Sequence, residues 1–359
     1  MRGGSFRRVG RALSDFFVAA QQRTHLLPAK ISAIKLSMIS RLIPDRFVLM
    51  LLGAIVLGWV LPVHGRGLAI AQNISFISIF ALFFLHGLRL PRQEVVKAVT
   101  AMKLQGAMLV FTFVAMPLAG MALAYGAGGL LPAALVTGLV YCAMLPSTVQ
   151  SAISYSALGG GNVAASVVGA ALSNLAGILL TPLLVAAVLG ASSGVAIGGD
   201  VVIRIATMLL LPFALGQAVQ SWLGNWALRQ KAMLSVFDRL VILIAVYVAF
   251  AGAVNSGSLS LLQSDDLLVL GGVLTVLLAF AFAGSWGLGG ALGLNRADRV
   301  SLVFAGAQKS IATGAPMAAI LFGSAAGLIL LPAILYHMAQ LIVSAPIADR
   351  LGQSLFKDS

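Results

Sequence analysis

Two short runs concentrate polar side chains inside otherwise apolar sequence. One reads Leu145-Pro146-Ser147-Thr148-Val149-Gln150-Ser151. The other reads Gly306-Ala307-Gln308-Lys309-Ser310-Ile311-Ala312-Thr313-Gly314-Ala315-Pro316. Hydroxyls, carboxamides and an ammonium bind small ions through oxygen lone pairs, N–H donors and charge. Proline removes a backbone donor and clashes with the preceding turn, and glycine and hydroxyl residues loosen the same turn. Both runs therefore predict interrupted helices. Freed carbonyls and amides persist in an apolar medium only where they face protein or a water-filled cavity. Half-helix ends also aim dipoles at such a break, amino ends favouring anions and carboxyl ends cations. The chemistry expected here is the binding and release of a substrate and an ion. The plainer alternative is a pair of kinked helices packed through small residues.

Other polar residues lie close by in sequence. Gly159-Gly160-Gly161-Asn162-Val163-Ala164 precedes Ser173-Asn174 and Thr181-Pro182, while Tyr336-His337, Gln340 and Ser344 share the last apolar run. On membrane helices such groups either line a cavity or bond across helices, each bond giving roughly 0.6–2 kcal/mol. His86 and His337 have no second histidine or carboxylate at ligand spacing, so packing or proton handling is preferred to metal binding. Cys142 stands alone and reads as a small core residue. No His/Glu zinc motif lies in an apolar run, and Ser147 has no base near it in sequence, so an enzyme is not expected.

These residues must be positioned by membrane helices. Of the 359 residues 60% are hydrophobic and 9% charged, far from the roughly 25% charged of soluble domains. Apolar runs of about 20 residues cross a bilayer as helices, because a helix satisfies its own backbone there. Ten are read, near 47–63, 68–88, 104–125, 130–157, 162–189, 200–223, 237–256, 266–292, 299–323 and 327–348. With both termini on one side, that side carries 20 of the 23 Lys and Arg, and this bias places it in the cytoplasm. The net charge of +13 is then a topology and lipid-headgroup signal, not a nucleic-acid patch. Residues 1–46 are expected to be a basic, poorly ordered cytoplasmic segment, either an arm or the result of an upstream start that is not used, rather than a targeting peptide, with Met38 a plausible alternative start. Residues 37–46 are read as an amphipathic lead-in to the first span. The membrane domain is expected at 47–348 and a cytoplasmic tail at 349–359.

A shift of 163 residues lays spans one to five over spans six to ten. Thr112 then falls on Thr275, Ser147 on Ser310, Asn174 on His337 and Thr181 on Ser344, and the two breaks coincide. Five spans per half is an odd number, so the halves enter the membrane in opposite directions. The repeats are placed at about 37–195 and 200–348.

The run Leu145–Ser151, with Gly161-Asn162-Val163-Ala164, Leu180-Thr181-Pro182, Gly306-Ala307-Gln308-Lys309-Ser310 and Phe83-Phe84-Leu85-His86-Gly87, resembles the bile acid:sodium symporter family. The closer resemblance is to its distant branch in bacteria and eukaryotes, over roughly residues 40–350. The resemblance implies an all-α membrane protein of ten transmembrane helices in a five-plus-five inverted repeat. Helices four and nine are then broken and cross, within panel and core subdomains. It implies a multi-pass protein of the bacterial inner membrane. The substrate is a small organic anion of bile-acid-like or other carboxylate or sulfate type, driven by a sodium or proton gradient. Expected binding residues are Ser147, Thr148, Gln150, Ser151, Asn162, Ser166, Asn174, Gln308, Lys309, Ser310, Thr313 and His337, with Gln150, Ser151, Ser166 and Gln308 at or near sodium-ligand positions. No cofactor beyond a bound sodium ion is implied.

Two departures stand out. Where the resemblance implies a carboxylate, four residues before Gln308, this chain has Phe304, and the residue after Gln308 is Lys309. A cation there costs about 2.5–3.5 kcal/mol at mid-helix and would repel sodium. Three functional roles are open: Lys309 replaces a sodium as a fixed charge, gives up a proton during transport, or binds the substrate anion. The bland reading is a lysine whose stem reaches the interface. A second function class is a membrane regulatory protein that influences calcium homeostasis without bulk transport. A calcium-selective pore itself is disfavoured by the absence of a carboxylate ring.

Overall fold

The computed structural model describes residues 46–89, 102–192 and 206–354. The proposed amino-terminal arm, its lead-in and Met38 lie outside them. All regular structure in the described residues is helical. Helices α1 (Arg46–Val60) and α2 (Gly65–Arg89) come first. Next, α3 (Met102–Val110) runs through a π-helical turn, Phe111–Ala115, into α4 (Met116–Ala127). Then follow α5 (Ala133–Met144), α6 (Gln150–Leu158) and α7 (Val163–Ser192). A second π-helical turn, Ala206–Leu210, leads into α8 (Leu211–Ala218), α9 (Gln220–Arg229) and α10 (Lys231–Asn255). The chain ends with α11 (Ser264–Ala291), α12 (Arg296–Ala307), α13 (Ile311–Phe322) and α14 (Ala326–Ser354).

Six helical stretches are long and apolar enough to cross a membrane. They are Gly65–Arg89, Lys103–Ala127, Val163–Gly190, Lys231–Asn255, Ser264–Ala291 and the interrupted run Arg296–Gln353. Three shorter apolar helices accompany them. Large hydrophobic side chains such as Ile77, Leu118, Leu268 and Ile342 point outward, as lipid solvation requires. This is a multi-pass membrane protein. The helix limits also repeat: α5 and α12 match at both ends under the shift of 163, and α7 and α14 begin in register under it.

Local sequence explains where helices start and stop. Gln263 and Asp266 form a reciprocal capping box at the start of α11, and the carboxylates of Asp265 and Asp266 face the positive end of its dipole. Asn295 caps α12 by accepting from Asp298 N at 2.9 Å. Gly257, at φ +71°, supplies the left-handed residue that follows α10.

One group of helices packs around α2, which touches α8, α9 and α10, while α1 lies along α10. The other group places α5 against α4 and α14, and α12 against α6, α7 and α11. The two meet where α10 packs on α13 and α14. At one end of the first group Arg89 grips Asp238 with two parallel bonds of 2.7 and 2.8 Å and donates to Leu85 O at 3.1 Å. His86 Nε2 lies 4.0 Å from the same carboxylate. About a fifth of each ion-pair side chain is exposed, so solvent screens the pair, and we expect Asp238→Ala to cost on the order of 1–2 kcal/mol. A thermal melt of the purified variant checks this; an unchanged midpoint would show that the pair contributes nothing.

Candidate functional site

The site begins as a problem of unpaired backbone. A helix leaves its last four carbonyls without partners, and α5 ends inside the fold. Leu145 turns extended (φ −69°, ψ 148°), and Pro146 cannot resume the helix. Four successive carbonyls then receive donors from distant residues. Met144 O accepts from Thr181 Oγ1 at 2.8 Å, and Leu145 O from Lys309 Nζ at 2.8 Å. Pro146 O accepts from Ser310 N at 2.8 Å, and Ser147 O from Asn174 Nδ2 at 2.7 Å.

The second break is satisfied in the same way. Ala307 O accepts from Tyr336 Oη at 2.7 Å. Gln340 holds Lys309 at both main-chain groups, accepting from its N at 2.7 Å and donating to its O at 2.9 Å. His337 Nδ1 lies 3.2 Å from that same oxygen. Ser310 caps α13 by accepting from Thr313 N at 3.3 Å. Pro316 lies within α13 and does not end it; the interruption is confined to Gln308–Ser310.

Three side-chain oxygens converge between the breaks. Gln308 Oε1 accepts from Thr148 Oγ1 at 2.5 Å and from Ser151 Oγ at 2.6 Å, and those hydroxyls are 2.6 Å apart. Gln308 Nε2 donates to Ser344 Oγ at 3.1 Å, which orients the amide. A triangle of three close edges holds only two hydroxyl protons. Once both are given to the amide, the third edge has none. Such a surplus of oxygen lone pairs suits a small hard cation, which takes oxygen ligands. Beside the triangle Thr313 Oγ1 donates to Asn174 Oδ1 at 2.8 Å.

The extended backbone at Gln308 (φ −84°, ψ 143°) sends successive side chains to opposite sides. Gln308 faces Thr148 and Ser151, whereas Lys309 faces Leu145 O and Thr112 O, the latter at 3.1 Å. Lysine and triangle are thus adjacent in sequence but turned apart. Phe304 is fully buried among aromatic rings, with Tyr155 and Phe282 at centroid distances of 5.8 and 6.3 Å.

Of the sequence-predicted residues, Ser147, Thr148, Ser151, Asn174, Gln308, Lys309, Ser310, Thr313 and His337 meet where the two breaks join. Gln150, the first residue of α6, is exposed. Ser166 and Asn162 belong to a separate cluster. Ser166 Oγ bonds Ser156 Oγ at 2.8 Å, which lies 3.0 Å from Ser301 Oγ, and Asn162 Nδ2 donates to Asp298 Oδ1 at 2.9 Å. The binding list omitted Ser173, Thr181, Tyr336, Gln340, Ser344 and Thr112. Tyr336, Gln340 and Ser344 fall four residues apart on one helix face, a signal present in the sequence; the π-helical turn around Thr112 left none.

An apolar cavity of about 460 Å³ opens between α7 and α8, lined by Leu175, Ala176, Ile178, Leu179, Leu180, Leu210 and Phe213. Among the described residues no group of three or more His, Cys, Asp or Glu side chains could hold a metal ion.

Two helix breaks that meet at a buried polar junction within a multi-pass helical protein are parts that a membrane transporter uses. The chain belongs to the SBF-like CPA transporter family, whose family model matches residues 45–353; it is a transporter and not an enzyme. It is 39% identical to the uncharacterized protein PA2026 of Pseudomonas aeruginosa, over 87% of this chain and 94% of that one. It is 37% identical to the Escherichia coli protein named "Putative symporter YfeH", over 85% and 92%. It is 28% identical to sodium/bile acid cotransporter 7 of Rattus norvegicus, over 79% and 84%.

Proposed function

We propose that this chain is a secondary symporter of a small organic anion, coupled to sodium at the Thr148–Ser151–Gln308 triangle and working by alternating access. The observation that carries the reading is the junction of the two breaks: Ser310 N bonds Pro146 O directly, beside three oxygens with too few protons to satisfy one another. The repeated helix limits support ten transmembrane helices in a five-plus-five inverted repeat. In that arrangement the α2 group acts as a panel against a core that carries the crossing. The basic bias supports cytoplasmic termini, and the bacterial relatives support the inner membrane. Asn174, Ser147, Ser310, Thr313 and His337 frame the substrate side of the crossing. The names of the Escherichia coli and rat relatives point the same way.

The test is uptake into proteoliposomes of a labelled bile acid and a panel of smaller carboxylates and sulfates. We expect uptake of at least one under an inward sodium gradient. Uptake driven only by a proton gradient would move the coupling away from the triangle. No gradient-driven uptake of any anion would overturn the transport reading.

A further inference from the structure

Lys309 is 1% exposed, and its ammonium is held by oxygens of the main chain. One, Leu145 O, belongs to the carboxyl end of half-helix α5, where the helix dipole favours positive charge. The other, Thr112 O, lies in the π-helical turn Phe111–Ala115, a wide turn of the kind found at functional positions in helices. Thr112 Oγ1 is itself buried without a hydrogen-bond partner. Two carbonyl oxygens, at 2.8 and 3.1 Å, face the Lys309 nitrogen, and main-chain oxygens of this kind also serve as ligands of a hard cation. Gln340 fixes the Lys309 main chain on both sides, so the nitrogen is held at one place beside the break.

We propose that Lys309 is a tethered cation: its ammonium fills a carbonyl-lined cation site at the junction of the two breaks. The site's solution ligand would be a small monovalent cation such as an alkylammonium or sodium. On the transport reading above, the triangle is then the exchangeable cation site, and the tethered charge draws nothing from a gradient. The occupancy itself does not depend on that reading.

Removing the side chain should create a receptor for a free cation. Purified Lys309→Ala is expected to melt about 5 °C or more below wild type, with methylammonium chloride restoring most of the loss. Methanol, a neutral molecule of similar size, should restore none. Lys309→Met keeps the volume without the charge; it should show a similar loss and no rescue, and it carries the test if the alanine variant does not fold. A methionine variant as stable as wild type would overturn the proposal, as would a folded alanine variant indifferent to methylammonium and sodium. These melts need no substrate, so their failure is separable from a failure of uptake.

Discussion

Gln308→Leu is expected to abolish sodium-driven uptake and the sodium-dependent thermal shift of the purified protein. The side chain is fully buried and joins three partners through one amide. Leucine fills similar space but leaves Thr148 and Ser151 without their common acceptor and Ser344 without its donor. Hydrogen bonds between membrane helices contribute about 0.6–1.7 kcal/mol each. Three lost together amount to about 2–5 kcal/mol, and the cation loses one of its three oxygens as well. With 1.4 kcal/mol per factor of ten, uptake should fall by about 30-fold or more. Gln308→Glu provides the contrast: it keeps acceptor oxygens at the triangle, adds a negative charge, and lets Ser344 become the donor. Its sodium affinity should rise. A leucine variant with wild-type uptake and sodium dependence would remove the triangle from the mechanism.

The second large effect concerns the support of the site rather than the site. Helices α2 and α8 touch backbone to backbone. A Cβ on Gly216 would lie 2.0 Å from Phe84 O, and one on Gly87 would lie 2.2 Å from Phe213 O. Gln217 Nε2 also donates to Gly87 O across this crossing. Small residues permit such approach between membrane helices, so even one added methyl must push main chain aside. We expect Gly216→Ala to cost about 3 kcal/mol or more, a fall of about 4 °C or more in the thermal midpoint. Gly271 in α11 is the control, because a Cβ there meets nothing within 4 Å. Gly271→Ala should leave the midpoint unchanged or raise it slightly, since alanine is the better helix former. If both variants melt alike, the close crossing does not hold the helices together.

Much of the architecture is legible in the residues. The apolar runs announce helices because an isolated segment in lipid must satisfy its own backbone. The breaks at Pro146 and at Gln308–Ser310 are local too: proline, glycine and hydroxyl residues disturb the turn they occupy. The reading of the second break was too wide, because Pro316 sits inside α13 without ending it. The candidate site is legible in part: the expected residues Thr148, Ser151 and Gln308 are brought together, whereas Gln150 is exposed and Ser166 bonds Ser156.

The sequence by itself determined the class of protein, its long apolar helical runs and the two places where polar chemistry enters an apolar chain; the separate helix α9 and the early start of α10 at Lys231 were not legible in it. Each of the legible features follows from residue types over a few turns. Only the tertiary structure decided which polar atoms face each other. Thr112 and Lys309 are separated by 197 residues, and Thr148 and Gln308 by 160, so their meeting depends on how broken helices cross. The crossing also turned Lys309 away from Gln308, because extended backbone sends neighbouring side chains to opposite sides. Lys309, next to Gln308 in sequence, therefore directs its amine to Leu145 O and Thr112 O and away from the Thr148–Ser151–Gln308 oxygens.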